Sequence, residues 1–246
     1  MLNKKEIKYI QSLDQKKHRD EEDVFIAEGP KMVCELLQMI PQQFNKLYAV
    51  QKWVKENQHL IKNIPHETIT EIELERISGL KSPNEVVAVL KQFQIIVPVN
   101  FSLALYLDTI KDPGNFGTII RIADWFGIKH IVCSEGCADV YNPKVVQSTM
   151  GSIGRVNIYY DEQTDWLKDQ ACLVMAATLD GTSVYEYNKI EKAILIIGNE
   201  SKGIGEKTLQ YATERITIPK RGEAESLNAA VATGILVSHL VGPQMQ

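Results

Sequence analysis

In the second half of the chain, apolar residues fall in short unbroken runs: Leu103–Leu107, His130–Cys133, Val156–Tyr160, Cys172–Ala176, Ala193–Ile197 and Ile216–Ile218. Between them lie stretches with helical spacing, Thr118–Phe126, Lys144–Met150, Glu162–Lys168, Glu206–Ala212 and Ser226–Leu240. A run apolar at every position, rather than at every second one, belongs to a strand covered on both faces. Such strands alternating with helices predict a parallel sheet with helices on both sides, and ligands of these sheets collect at the carboxyl ends of the strands.

The first half mixes shorter patterns. Ile7, Ile10 and Leu13, three apart, predict a helix over Lys5–Leu13. Phe25-Ile-Ala-Glu-Gly leads into a second helix, Pro30–Met39, with proline in its first turn. Lys46–Val50 and Val86–Leu90 read as strands and Ile72–Ile77 as a short helix, enough for a small α/β module. The segment around Pro98 and Asn100 has the chemistry of a connector. The expected organisation is therefore a module over 1–97, a linker over 98–102 and a parallel-sheet domain over 103–246. The fold class is α/β throughout.

Composition narrows the functions. With 44% apolar and 24% charged residues in 246, the chain is an ordinary globular sequence, neither a disordered tail nor a disulfide scaffold. Its net charge of −4 excludes nucleic-acid binding by bulk charge alone. Charge is nonetheless uneven: residues 1–19 hold six bases (Lys4, Lys5, Lys8, Lys16, Lys17, Arg19) against Glu6 and Asp14. A polyanion would have to meet a local patch. The apolar runs fall far short of the ~20 residues that span a bilayer, and the Met1-Leu-Asn-Lys-Lys-Glu start has no secretory character. Cys133 and Cys137 alone are half a zinc site, with no second Cys/His pair at ligand spacing. The expectation is no metal, no membrane, a cytoplasmic setting, and four reduced, mostly buried thiols including Cys34 and Cys172.

Three loops at strand ends carry candidate chemistry. Asp112-Pro-Gly-Asn-Phe-Gly has strong turn character and places Asn115 just before a helix that bears Arg121 among isoleucines. Ile197-Gly-Asn-Glu-Ser-Lys-Gly-Ile-Gly lets a ligand approach the backbone closely and carries Glu200. It has neither a phosphate-loop Gly-Lys-Ser/Thr nor the Gly-x-Gly-x-x-Gly of a dinucleotide fold, which disfavours a nucleotide-dependent oxidoreductase. An acidic side chain at that strand end suits a neutral or cationic ligand better than a polyphosphate. In Ile216-Thr-Ile-Pro-Lys-Arg-Gly-Glu-Ala-Glu-Ser-Leu-Asn, Ser226 is the expected N-cap of a helix that begins with small residues.

Taken in order, Asp112-Pro-Gly-Asn-Phe-Gly…Arg121, Ile197-Gly-Asn-Glu-Ser-Lys-Gly and Ile218-Pro…Glu225-Ser-Leu-Asn resemble the three signature motifs of the SpoU (TrmH-like) RNA ribose 2′-O-methyltransferases of the SPOUT superfamily. The likeness covers about residues 103–241. The front segment, Lys17-His-Arg-Asp…Phe25-Ile-Ala-Glu-Gly-Pro-Lys, resembles the small L30e-like RNA-binding domain of many members. The resemblance implies a parallel-sheet domain tied in a deep trefoil knot and a homodimer through the C-terminal domain. It also implies S-adenosylmethionine held by Thr178, Leu179, Gly198, Ile218 and Leu227. Arg121 is then the key catalytic residue, with Asn115, Glu200, Ser226 and Asn228 orienting it or the ribose. Guanidinium holds its proton too tightly for a base, so Arg121 is expected to anchor phosphate and stabilise developing alkoxide charge. RNA, ribosomal rather than transfer, is the expected substrate, with phosphate contacts from Lys16, Lys17, Arg19, Lys144, Arg155, Lys220 and Arg221. Lys220-Arg221 and Ala229-Ala230 depart from the family's common residues and touch pocket lining or target choice. The alternative on the same fold is a catalytically inactive RNA-binding or ribosome-assembly protein.

Overall fold

The computed structural model describes residues 2–187 and 190–242. The chain divides into two compact units, Met1–Gln94 with Asp139–Gly154, and Ile95–Ala138 with Arg155–Gln246.

The first unit opens with α1 (Lys4–Ser12), which presents Ile7 and Ile10 inward, and α2 (Lys16–Glu22). There follow β1 (Val24–Glu28), α3 (Pro30–Met39), β2 (Phe44–Val50), α4 (Gln51–Glu56), α5 (Gln58–Ile61), β3 (His66–Ile69), α6 (Glu71–Ile77) and β4 (Val86–Lys91). The strands form one sheet in the order β1-β4-β2-β3. β4 runs antiparallel to both its neighbours, and β3 runs parallel to β2. One face of it buries Ile10, Leu13, Ile26, Tyr48, Leu74 and Val87 in a common core. Thr70 and Glu73 close a reciprocal capping box on α6, satisfying donors that a helix start leaves unpaired. The segment Asp139–Gly154, which the sequence reading assigns to the sheet domain that follows, belongs to this unit and carries the helix Pro143–Thr149 (α8 in chain order).

Arg19 shows why. Its side chain is almost wholly buried; the guanidinium donates to Leu13 O at 2.8 Å and Asp14 O at 2.7 Å and pairs with Asp139 at 2.6 Å. The expectation that it meets phosphate is therefore corrected. Burying a guanidinium is costly unless it is paired, and this one pairs through both terminal nitrogens, tying α2 to a segment 120 residues away, while its Nε finds no partner among the described residues.

The second unit holds β5 (Leu103–Asp108), α7 (Pro113–Trp125), β6 (His130–Ser134), β7 (Asn157–Asp161), α9 (Asp165–Lys168), β8 (Leu173–Ser183), β9 (Ala193–Gly198), α10 (Glu206–Leu209), β10 (Glu214–Thr217) and α11 (Ala229–Val241). All six apolar runs are strands. They make a single sheet in the order β10-β8-β9-β5-β6-β7, and every pair is parallel. Ala104, Tyr106, Ile194 and Ile196 are fully buried, as strands covered on both faces must be. β8 runs seven residues past Ala176, and its extension pairs with β10. That pairing requires Gly181, where an added Cβ would stand 2.6 Å from Arg215 O. All four cysteines are unpaired; Cys133 is buried and the other three half-buried.

Candidate active site

Two of the three loops meet at the carboxyl ends of β8, β9 and β10. They enclose a cavity of about 630 Å³ lined by Thr178, Leu179, Gly198, Glu200, Ile218 and Leu227, among others. All five residues expected to hold the cofactor line it, as do Ser226, Lys220 and Arg221. Gly198 is required there: a Cβ on it would come within 2.5 Å of the Gly203 backbone. Leu179 is 77% and Leu227 45% exposed, so the cavity presents apolar side chains to solvent.

The loop from Asn199 to Gly203 is folded back on itself, with reciprocal backbone hydrogen bonds between these residues at 2.9 and 2.8 Å. It is also fastened to β5. Asn199 Nδ2 donates to Thr109 O at 2.9 Å, and Gly205 N donates to the buried Asp108 carboxylate at 2.7 Å. Ser134 Oγ and Thr109 Oγ1 donate to the other oxygen of Asp108, each at 3.0 Å. Thr109 has φ of 59°, a left-handed backbone that a β-branched residue adopts only under constraint. Asn199 stands in the Gly-rich loop singled out in the sequence, but Asp108 and Ser134 are given no site role there. The one available signal was an acidic residue ending an otherwise apolar strand.

The third loop enters through its asparagine. Asn115 lies in the first turn of α7 rather than before it, because the helix starts at Pro113 with Asp112 as its N-cap, accepting from Asn115 N at 2.8 Å. Asn115 Nδ2 donates to Glu200 Oε1. Asn228 Nδ2 donates to the same oxygen at 3.0 Å and to Asn115 Oδ1 at 2.9 Å. Residues from three distant parts of the chain are thus joined around one carboxylate. Asn228, not Ser226, is the N-cap of α11, its Oδ1 accepting from Ala230 N and Val231 N. Ser226 stays exposed on the cavity wall.

Arg121 lies six residues beyond Asn115 on α7, exposed and outside the cavity lining, and its guanidinium makes no hydrogen bond or ion pair among the described residues. Trp125, one turn further, is 85% exposed. Of the expected phosphate contacts, Lys16 and Lys17 are exposed on α2, paired along the helix with Asp20 and Glu21. Lys144 is exposed at the start of α8. Arg155 is committed to a fork-like pair with Asp124 at 2.9 and 2.8 Å.

An apolar, backbone-lined cavity with a carboxylate at its mouth suits a nucleoside with a positive centre and no polyphosphate. S-adenosylmethionine fits this lining: its adenine and methionine chain match the apolar walls and the backbone polar groups of the strand ends. No helix among the described residues is long and apolar enough to cross a membrane, and no cluster of three or more metal-ligating side chains occurs among them.

Comparison with known proteins agrees. Residues 102–238 match the SpoU rRNA Methylase family, and residues 4–88 match the MRM3-like substrate binding domain. The 23S rRNA (guanosine(2553)-2′-O)-methyltransferase RlmP of Bacillus subtilis is 31% identical over 96% of each chain. The AdoMet-bound rRNA methyltransferase of Sinorhizobium meliloti superposes with a TM-score of 0.86 at 30% identity, over 98% of this chain and 95% of that one. A TrmH-family protein from Porphyromonas gingivalis gives 0.86 at 36%, over 98% of each. Fold and site together define an S-adenosylmethionine-dependent RNA methyltransferase. The chain belongs to the SpoU rRNA methylase family.

Proposed function

We propose that the protein methylates one ribose 2′-oxygen of ribosomal RNA, in the cytoplasm, as a homodimer joined through its C-terminal domain. The observation that carries this reading is the convergence of Asn115, Glu200 and Asn228 at the mouth of a cavity lined by Gly198, Ile218 and Leu227, in a chain of this family. RlmP, similar over nearly its whole length, is named for that chemistry on 23S rRNA.

S-adenosylmethionine supplies an electrophilic methyl group on sulfur. The chain's own residues do the rest. Thr178, Leu179, Gly198, Ile218 and Leu227 hold the cofactor and keep water from it. Glu200 Oε1 is fixed by the side-chain amides of Asn115 and Asn228 and by Ala229 N, which leaves Oε2 to orient a ribose, with the exposed Ser226 hydroxyl on the same cavity lining. Arg121, with no partner among the described residues, is free to take a phosphate and to stabilise charge developing on the 2′-oxygen. Its exposure fits a role completed across the dimer, each subunit lending its guanidinium to the other's cavity. Lys16, Lys17, Lys144, Lys220 and Arg221 supply further phosphate contacts, which predicts binding that weakens steeply with salt.

The first unit, Met1–Gln94 with Asp139–Gly154, is read as L30e-like and RNA-binding, and the second, Ile95–Ala138 with Arg155–Gln246, as catalytic. A deep trefoil knot in the latter is supported by the insertion of β8 between β10 and β9 and by the return of Asn228 to the Glu200 loop. The test is methyl transfer from S-adenosylmethionine to ribosomal RNA, read as resistance of one ribose linkage to alkali. Transfer to a base instead, or none, refutes the reading.

A further inference from the structure

A second cavity, of about 560 Å³, lies wholly within the first unit, and of the residues given a functional role above only Lys144 lines it. Its walls include Ile10, Ile26, Ile77 and Leu80, and among its lining residues is Glu28, the last residue of β1. Glu28 is only 6% exposed and has no cationic partner among the described residues. It is held from the loop that follows α6: Ser78 Oγ donates to one carboxylate oxygen, and Gly79 N donates to the other at 3.0 Å. Each oxygen keeps a second lone pair, because a carboxylate accepts at about four sites. Burial pushes the Glu28 carboxyl above its ordinary value, the mark of an anion with too few donors around it.

The rim has the opposite sign. Arg76, Lys81 and Lys144 line the same cavity and are exposed, against one exposed carboxylate, Asp14. A phosphate-filled cavity would be opposed by Glu28, and an acidic peptide would be opposed in the same way. A nucleotide satisfies both ends, with its phosphate among the cations, its ring between aliphatic walls, and its hydrogen-bond donors on the carboxylate. Among the bases, guanine alone offers two adjacent donors, N1–H and the N2 amine, to the fork of one carboxylate. Cytosine and adenine offer a single amine there, and uracil one N–H between two carbonyls.

We propose that this cavity receives an unpaired guanine of the RNA substrate, its N1–H and N2 amine donated to Glu28 and its flanking phosphates held by Arg76, Lys81 and Lys144. The proposal rests on the reading that the protein acts on RNA. It adds a place where the first unit reads sequence, remote in the chain from the methyl-transfer residues.

The test is binding of the full chain to short single-stranded oligoribonucleotides, adenosine throughout except for one central guanosine, one central inosine or no replacement. Inosine lacks only the N2 amine. Guanosine is expected to bind about tenfold tighter than inosine, and inosine tighter than adenosine, as removal of one donor of a bidentate pair requires. Glu28→Gln, which can still accept from Gly79, should abolish the guanosine preference while keeping the wild-type melting transition. Lys81→Gln should weaken all three oligonucleotides alike and lower the salt slope by about one. Equal affinities for the three, or a guanosine preference that survives Glu28→Gln, overturns the proposal. Should Glu28→Gln fail to fold, the inosine comparison on the wild type still decides. Methyl transfer to ribosomal RNA by the same wild-type preparation is read separately, so failure of this pocket and failure of the proposed activity are told apart.

Discussion

The two cavities of this protein are built on opposite plans. In the second unit the lining is mostly backbone and apolar side chain at the ends of parallel strands, with glycine where a Cβ would collide. In the first unit a buried carboxylate shares a cavity with three exposed cations, beside a largely antiparallel sheet. The difference is one of ligand. The second-unit cavity carries its cations, Lys220 and Arg221 among them, on the same lining as Glu200, whereas the first-unit cavity sets exposed Arg76, Lys81 and Lys144 against the buried Glu28. An acidic protein can therefore bind RNA, provided its cations are placed where the phosphates run.

The contrast can be broken most severely at Glu200. Glu200→Ala removes the shared acceptor of Asn115 and Asn228 and should cost about a hundredfold in turnover, because misplacing reacting groups by an ångström has that effect. The loss should fall on turnover far more than on S-adenosylmethionine affinity, separated by single-turnover kinetics and calorimetry. Equal losses in both would make Glu200 a cofactor ligand rather than a positioning group.

Gly198→Ala should do the reverse. Its Cβ would stand 2.5–2.7 Å from Gly203 and Ile204 backbone atoms, so the loop must shift. Cofactor affinity should fall about tenfold, and overpacking should destabilise the protein by about 1–3 kcal/mol, read by calorimetry and thermal melting. Unchanged affinity would mean that the Asn199–Gly203 turn does not shape the cavity.

The smallest effect belongs to the first unit and to acid. Lys46 pairs with Glu6 at 2.5 Å and with Glu67 at 2.9 Å, and Tyr48 donates to Glu6 at 2.9 Å. The Lys46 hydrogen bond, ahead of the Tyr48 one, holds the Glu6 carboxyl below its ordinary value of 4.5. The folded pKa is thus the lower one, so this contribution is whole above pH 4.5 and is lost as pH falls through the folded value. Lys46→Met should lower stability at neutral pH, leave it little changed below the folded Glu6 value and so flatten the fall in that acid window, as denaturant melts against pH would report. An unaltered slope would assign acid sensitivity to other carboxylates.

Legibility in the sequence followed burial and length. Four strands of the parallel sheet, β5, β6, β8 and β9, announce themselves as short apolar runs between helical stretches, whereas β7 (Asn-Ile-Tyr-Tyr-Asp) and β10 (Glu-Arg-Ile-Thr) carry a weaker signal because they are only partly buried. The short elements between Gln51 and Ile69 carry no such signal; helices of four to six residues and a four-residue strand are set by packing rather than pattern. The cavity residues from Thr178 to Leu227 were found through motifs. The fastening at Asp108 was not, since its partners Ser134, Asn199 and Gly205 come together only in three dimensions. Arg19 misled for a related reason. In a basic run every cation looks solvated, and only the distant Asp139 withdraws this one. At the start of α11, Ser226 and Asn228 are both capping residues by type, and the choice was made by Glu200, which holds the Asn228 amide where its oxygen can cap.

The central claim is that the Glu200-centred site modifies a ribose of ribosomal RNA. It is tested most directly by mapping 2′-O-methylation at nucleotide resolution in ribosomal RNA from cells that lack this protein. One linkage, alkali-resistant in the parent, should become cleavable, and resistance should return with the wild-type chain but not with Glu200→Ala. A map identical with and without the protein, or a lost methyl group carried on a base, would contradict it.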